Sequence, residues 1–299
     1  MTHLGLDIGG TSVKAAVVRN DDRADGDGTW IWIGQSNFYR LPNAARIRSA
    51  IKEALAGLSP DVRASVTRVG LCVPGLLDPA GRTITAAINV PGLVGISLDE
   101  LVTEALGTRP AIRIVNDAAA AAHDLYVSDR LAGRLLVLAL GTGVGACVLD
   151  DGKLLSLTED SPGHLGQIDV SIGGEPVIGP DGGAGGLEGY IGAPALAARY
   201  GENLAAAISR WTGYEPPIRA LARAIRICHA IYRPGHVRLC GGIGIRLRHL
   251  LHPLRQQIDN HLTRLARPDW TLDCGQDDFH AARGAARLAA VLFQSPLRL

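Results

Sequence analysis

Three short stretches hold the residues best suited to chemistry. In the first, the carboxylate Asp7 precedes a glycine turn, Gly9-Gly10-Thr11, with Lys14 three residues further on. Binding a phosphate group requires several backbone N–H donors aimed at one point, and glycine allows the chain both the dihedrals and the close approach that this needs. Asp7 is placed to hold hydrated Mg2+, a hard cation taken up by one or two carboxylates together with phosphate oxygens. Thr11 could donate its hydroxyl to phosphate, and Lys14 could add positive charge. A second turn, Gly141-Thr142-Gly143, repeats the first without the acid. Read alone, either turn is equally an ordinary tight hairpin. The third stretch, Asn116-Asp117, offers a carboxylate that could accept the proton of an attacking hydroxyl in phosphoryl transfer. Asn and Asp are also preferred helix N-caps, and the local sequence does not choose between cap and base.

The elements that must position these residues follow from apolar patterning. Residues 4–18 and 135–149 each predict a strand, a glycine turn and a second strand, which points to an internal duplication with each half giving one turn to a shared cleft. Helical spacing marks 44–58, and short buried strands are expected at 69–73 and 112–115. The second of these runs into Asn116-Asp117 and an alanine-rich helix over 118–125. Carboxyl ends of strands are where open α/β sheets bind ligands. Residues 161–192 are glycine-dense and loop-rich, 217–232 predict an amphipathic helix, 236–240 a strand ending at Gly241-Gly242, and 281–293 a last helix.

The 299 residues suffice for two modest domains, and at 47% hydrophobic and 20% charged they can bury a real core. With 30 basic against 29 acidic residues there is no global field for a nucleic-acid backbone or an anionic membrane, so a small ligand is expected. Five cysteines at 72, 147, 228, 240 and 274 form no close pairs and read as reduced thiols. No export signal or membrane span is discernible, so a cytoplasmic protein is expected.

Taken in order, the segments GLDIGGTSVKAAVV, VPGLLDPAGR, INVPGLVG, IVNDAAAAA, LALGTGVGACVLDDGKL, GLEGYIG, LCGGIG and RGAARLAAV resemble the motifs of the ROK family of bacterial sugar kinases and related repressors. The resemblance covers nearly the whole chain. It implies an α/β protein with the two-lobed actin-like (ribonuclease H-like) ATPase fold, duplicated mixed-sheet domains around a central cleft. The lobes would comprise 1–116 with 281–299, and 117–280. It also implies an ATP-dependent kinase of a small sugar, with Asp117 as general base and Asn89, Asn116 and Glu188 contacting the sugar. Gly9, Gly10, Thr11, Gly141, Thr142 and Gly143 would hold phosphate, Gly241 and Gly242 would lie against adenosine, and Mg2+ would accompany the nucleotide. A homodimer is common in the family.

The chain departs from the family where many members carry Gly-Glu-Ile-Gly-His and a cysteine-rich zinc motif. Here the matching residues are Gly163-His164-Leu165-Gly166-Gln167, and 173–188 contain no cysteine, so no structural zinc is expected. His164 and Gln167 become candidate sugar contacts. Three rivals are weighed: a repressor, disfavoured because the first hairpin at about residue 4 leaves no room for a DNA-binding module; a catalytically weakened sugar-binding protein of the same family; and a kinase that takes polyphosphate as donor, which LCGGIG, the adenosine motif by resemblance, argues against without excluding.

Overall fold

The computed structural model describes residues 1–19, 28–87, 89–156, 163–173, 177–180, 182–263 and 269–291. The chain runs β1 (Thr2–Ile8), β2 (Val13–Arg19), β3 (Thr29–Gln35), α1 (Ala44–Ala54), α2 (Pro60–Ala64), β4 (Val66–Cys72), β5 (Leu76–Leu77), β6 (Ile84–Ala86), α3 (Leu98–Leu106), β7 (Ala111–Val115) and α4 (Asp117–Ser128). It continues through β8 (Arg134–Leu140), β9 (Val144–Asp150), β10 (Lys153–Leu154), α5 (Leu187–Ile191), α6 (Ala193–Tyr200), α7 (Leu204–Ile208) and α8 (Pro216–Tyr232). It ends with β11 (His236–Cys240), α9 (Gly241–Gly244), α10 (Leu251–Asp259), β12 (Thr271–Cys274) and α11 (His280–Val291). The end of the helix expected over 281–293 lies outside the described residues.

Two compact units result, 1–124 with 279–299, and 125–278. Each is built on a five-stranded sheet of the same plan, ordered β3-β2-β1-β4-β7 in the first and β10-β9-β8-β11-β12 in the second. In both, an antiparallel meander leads into two parallel strands. The duplication suggested by two glycine hairpins therefore extends over the whole sheet, and the hairpins β1–β2 and β8–β9 occupy equivalent positions. Central strands β1 and β8 are almost wholly buried, which is why they read as continuous apolar runs. The half-exposed edge strand β3, with Trp30 and Trp32, is absent from the sequence reading.

The division falls after Asp124 and before Phe279, eight residues beyond the boundary expected at 116 and two short of the one at 281. The reason is packing of α4 on α11. Asp124, 1% exposed, accepts from Arg287 Nε at 2.9 Å and pairs with His280 Nδ1 at 2.7 Å, tying the first turns of α4 to the first unit. Backbones also meet directly, since a Cβ on Gly284 would lie 1.8 Å from the Ala120 carbonyl oxygen.

Helix α11 docks on β1 and β4 through the same device. A Cβ at Gly5 would fall 1.8 Å from the carbonyl oxygen of Ala282, and one at Gly70 would fall 2.0 Å from that of Ala285. No rotamer relieves a clash with backbone, so the helix would have to move. Gly70→Val is expected to destabilise the fold by roughly 3 kcal/mol, the upper end for overpacking, read as a lower urea midpoint at unchanged slope.

Candidate active site

In the first unit, the parallel register aligns Asp7 of β1 with Cys72 of β4, and Cys72 with Val115 of β7. Asp7, Cys72 and the Asn116-Asp117 junction therefore share one carboxyl edge of the sheet. Burial pushes the Cys72 thiol well up, and the carboxylates of Asp7 and Asp117 push it further, so both acids lie close to it. Asp117 is open to solvent, yet the protein packed around its carboxyl raises its pKa above the ordinary carboxylate range. Its Oδ1 accepts the backbone N–H of Ala118 at 2.7 Å, and no side chain among the described residues donates to it. The cap of α4 is Asn116, whose Oδ1 accepts the N–H of Ala119 at 3.0 Å and whose amide N–H groups make no hydrogen bond among the described residues. The capping role that the sequence offered to either residue is thus taken by Asn116.

The β1–β2 turn is held from within and from behind. Gly9 N–H donates to the Ser12 carbonyl at 3.0 Å, and the Gly10 and Thr11 N–H groups have no partner among the described residues. Tyr39 clamps the turn with two bonds: its hydroxyl donates to the Gly9 carbonyl at 2.7 Å and its N–H to that of Thr11 at 2.8 Å. Burial, then the nearby Asp7 carboxylate, keep the phenol protonated far above its usual range. Nothing in the sequence marks Tyr39, which follows Phe38 and lies 28 residues after Thr11, as a partner of the turn. Lys14 is buried and faces Asp7 across the hairpin register. Asn89 sits half-buried in a bend before the 3-10 turn at Pro91–Leu93 and forms no hydrogen bond with Asn116 or Asp117.

The second unit repeats the turn. Gly141 N–H donates to the Gly143 carbonyl at 3.0 Å, and the N–H groups of Thr142 and Gly143 have no partner among the described residues. Glu188, in the first turn of α5, accepts the N–H of Val144 through Oε2 at 2.9 Å. That oxygen would be 2.8 Å from a Cβ on Gly143 and 3.2 Å from one on Gly166, so a side chain at either position would press on the acid where it now sits. Glu188 is in this way brought to the turn and to the Leu165–Gln167 helical turn. His164 and Gln167 flank that turn and are exposed, with the Gln167 N–H donating to the His164 carbonyl at 2.9 Å. Gly241, at φ +77, lies against the end of β8, where a Cβ would be 2.5 Å from the Leu140 carbonyl oxygen. Gly242 follows it in α9, where a Cβ would lie 3.5 Å from Arg246 Nη1, the group that donates to the Gly242 carbonyl.

A sequence model of the ROK family matches residues 3–291. The chain belongs to the ROK family. This ROK protein is similar over 98% of its length to a ROK hexokinase from Thermus thermophilus, with 22% identity, TM-score 0.69 and 99% of that chain covered. It is similar over 97% to a ROK glucokinase from Streptomyces griseus crystallised with glucose and AMPPNP, again with 22% identity, TM-score 0.69 and 99% coverage of that chain. These likenesses show the fold, an α/β arrangement of the actin-like ATPase type with duplicated mixed sheets. N-acetylmannosamine kinase of Salmonella typhimurium is 32% identical over 169 residues, 56% of this chain. That match spans 54% of the relative, so the chain covers about half the length of the curated relatives it matches.

All five cysteines of this ROK protein are buried, and none forms a disulfide. Among the described residues no group of three or more His, Cys, Asp or Glu side chains is placed to hold a metal ion. No helix among them is long and apolar enough to cross a membrane.

Proposed function

We propose that this ROK protein transfers the terminal phosphoryl group of ATP to a hydroxyl of a small sugar, a hexose or hexose derivative. The observation that carries this reading is Asp117, exposed at the sheet edge that also bears Asp7, with no side chain among the described residues donating to its carboxylate; its raised pKa is consistent with a base. Asp117 accepts the proton of the attacking sugar hydroxyl. The amide of Asn116, together with Asn89, Glu188, His164 and Gln167, orients the sugar. The N–H groups of Gly10, Thr11, Thr142 and Gly143 receive phosphate oxygens, with the Thr11 hydroxyl and Lys14 adding a donor and a charge. Gly241 and Gly242 offer a side-chain-free surface to adenosine.

The donor set suits Mg2+: one hard carboxylate, Asp7, beside N–H groups that would hold phosphate, with the remaining ligands supplied by water and phosphate oxygens. Bound there, the ion would offset charge on the phosphate oxygens during transfer. The acceptor panel should include glucose, mannose and N-acetylmannosamine, in line with the names of the relatives.

A coupled ADP-release assay over hexoses and N-acetylhexosamines tests the proposal. Sugar-dependent turnover supports it; saturable sugar binding by calorimetry with no turnover on any acceptor would replace it with the sugar-binding reading. Tyr39→Phe probes the first turn. Removing one neutral hydrogen bond of about 1 kcal/mol is expected to raise the KM for ATP about fivefold, with kcat little changed. Initial rates across a nucleotide series check it.

A further inference from the structure

We propose that a groove along α8, made of none of the residues assigned above to nucleotide or sugar, binds a small polyhydroxy phosphate monoester. This is the class to which the product of the proposed reaction belongs, although the groove stands independently of that reading. Its cavity of about 560 Å³ is lined by Arg223, Arg226, His229, Arg233 and His261. That volume suits a metabolite. An adjoining hollow of about 250 Å³ shares Arg223, Arg226 and His261 and adds Arg219. Arg219, Arg223 and Arg226 stand at i, i+4 and i+7, so α8 presents them on one face.

This is a concentration of positive charge in a chain with 30 basic and 29 acidic residues, and the nearby carboxylates among the described residues are engaged elsewhere. Neither Arg219, Arg223 nor Arg226 forms an ion pair among the described residues; Arg223 reaches the Ser171 carbonyl instead. Asp259 is taken by Arg255 at 2.6 Å and by the Trp270 indole N–H at 3.0 Å. Asp169 accepts both the O–H and the N–H of Ser171, which, with a smaller pull from Arg223, hold it below the usual carboxylate range.

The groove also contains buried polar atoms without partners. Arg226 Nε and both ring nitrogens of His229 are buried and unsatisfied, although His229 is only 2% exposed. Native interiors rarely leave such atoms unpaired. Burial, then the charge of Arg255, lower the His229 pKa to about 4, so at neutral pH the ring presents one N–H and one acceptor nitrogen. In the groove itself the guanidinium groups of Arg219, Arg223 and Arg226 match the phosphate dianion with charge-assisted bonds, and the cavity volume leaves room for the ligand's hydroxyls. Trp270, packed edge-on to His229 at 4.5 Å, provides a fluorescent reporter beside the ring.

The test titrates the full chain with glucose 6-phosphate, and in parallel with inorganic phosphate, at constant ionic strength. Saturating AMPPNP occupies the nucleotide residues, and binding is read by calorimetry and tryptophan emission. Saturable binding of glucose 6-phosphate, tighter than that of inorganic phosphate, is expected. It should weaken about tenfold or more in Arg226→Gln, and similarly in Arg223→Gln. Arg223 is exposed, so its variant keeps the fold even if Arg226→Gln does not, with circular dichroism as the check. Absence of saturable glucose 6-phosphate binding, binding undiminished in Arg223→Gln, or equal affinity for inorganic phosphate would each overturn the proposal.

Discussion

Asp117→Asn is expected to lower kcat by roughly 10²- to 10⁴-fold, the usual contribution of a positioned base, while leaving the protein at least as stable as the parent. Asparagine keeps an oxygen for the Ala118 N–H but cannot take a proton from the acceptor hydroxyl. The stability half follows from linkage. The protein packed around the carboxyl raises the folded-state pKa of Asp117, so its favourable contribution to folding is complete below the unfolded-state pKa and is lost as pH rises through the folded value. At neutral pH the ionised acid works against the fold, and a neutral amide removes that burden. Thermal unfolding at pH 7 should show an unchanged or higher Tm for the variant. In the parent, kcat/KM should fall as pH drops through a pKa above the ordinary carboxylate range. A variant that keeps parental kcat would remove Asp117 from the role of base.

Asp124→Ala is expected to be the most destabilising single change in α4, costing about 3–5 kcal/mol. The carboxylate is 1% exposed and serves both His280 and Arg287, themselves 4% and 9% exposed. Its removal leaves the Arg287 guanidinium buried without this counter-charge. Asp124→Asn, which retains one acceptor oxygen, should cost less. Urea denaturation of the three proteins measures the difference, and equal midpoints for alanine and parent would show that the pair contributes nothing net.

The sequence was most legible where a backbone requirement narrows the residue choice. Gly9-Gly10-Thr11 and Gly141-Thr142-Gly143 mark their hairpins because the turns demand glycine, and the two matching sheets follow from that repetition. The junction at Asn116-Asp117 was equally visible, since a buried apolar strand that stops at two polar residues before an alanine run must be meeting a helix there. Which of the two caps the helix was not, because both residue types serve as caps and only the bond from Ala119 to Asn116 separates them. Tyr39 and Asp124 were hidden for a different reason. Each acts through a partner far along the chain, Gly9 for one and Arg287 for the other, and a single sequence carries no mark of such pairing. Strand β3 was missed because an edge strand buries its face only partly, so its alternation is weak.

Helix α11 completes the first unit but is synthesised only after the whole of the second. Until residues 280–291 emerge from the ribosome, the surfaces of β1 and β4 around Gly5 and Gly70 have nothing to cover them, and Asp124 lacks both of its partners. The second unit is one continuous stretch, 125–278, and has its whole sequence available earlier. Maturation of the nascent chain therefore runs counter to its numbering: the half synthesised first is the half that must wait, and it is the one exposed to chaperones and proteases in the interval.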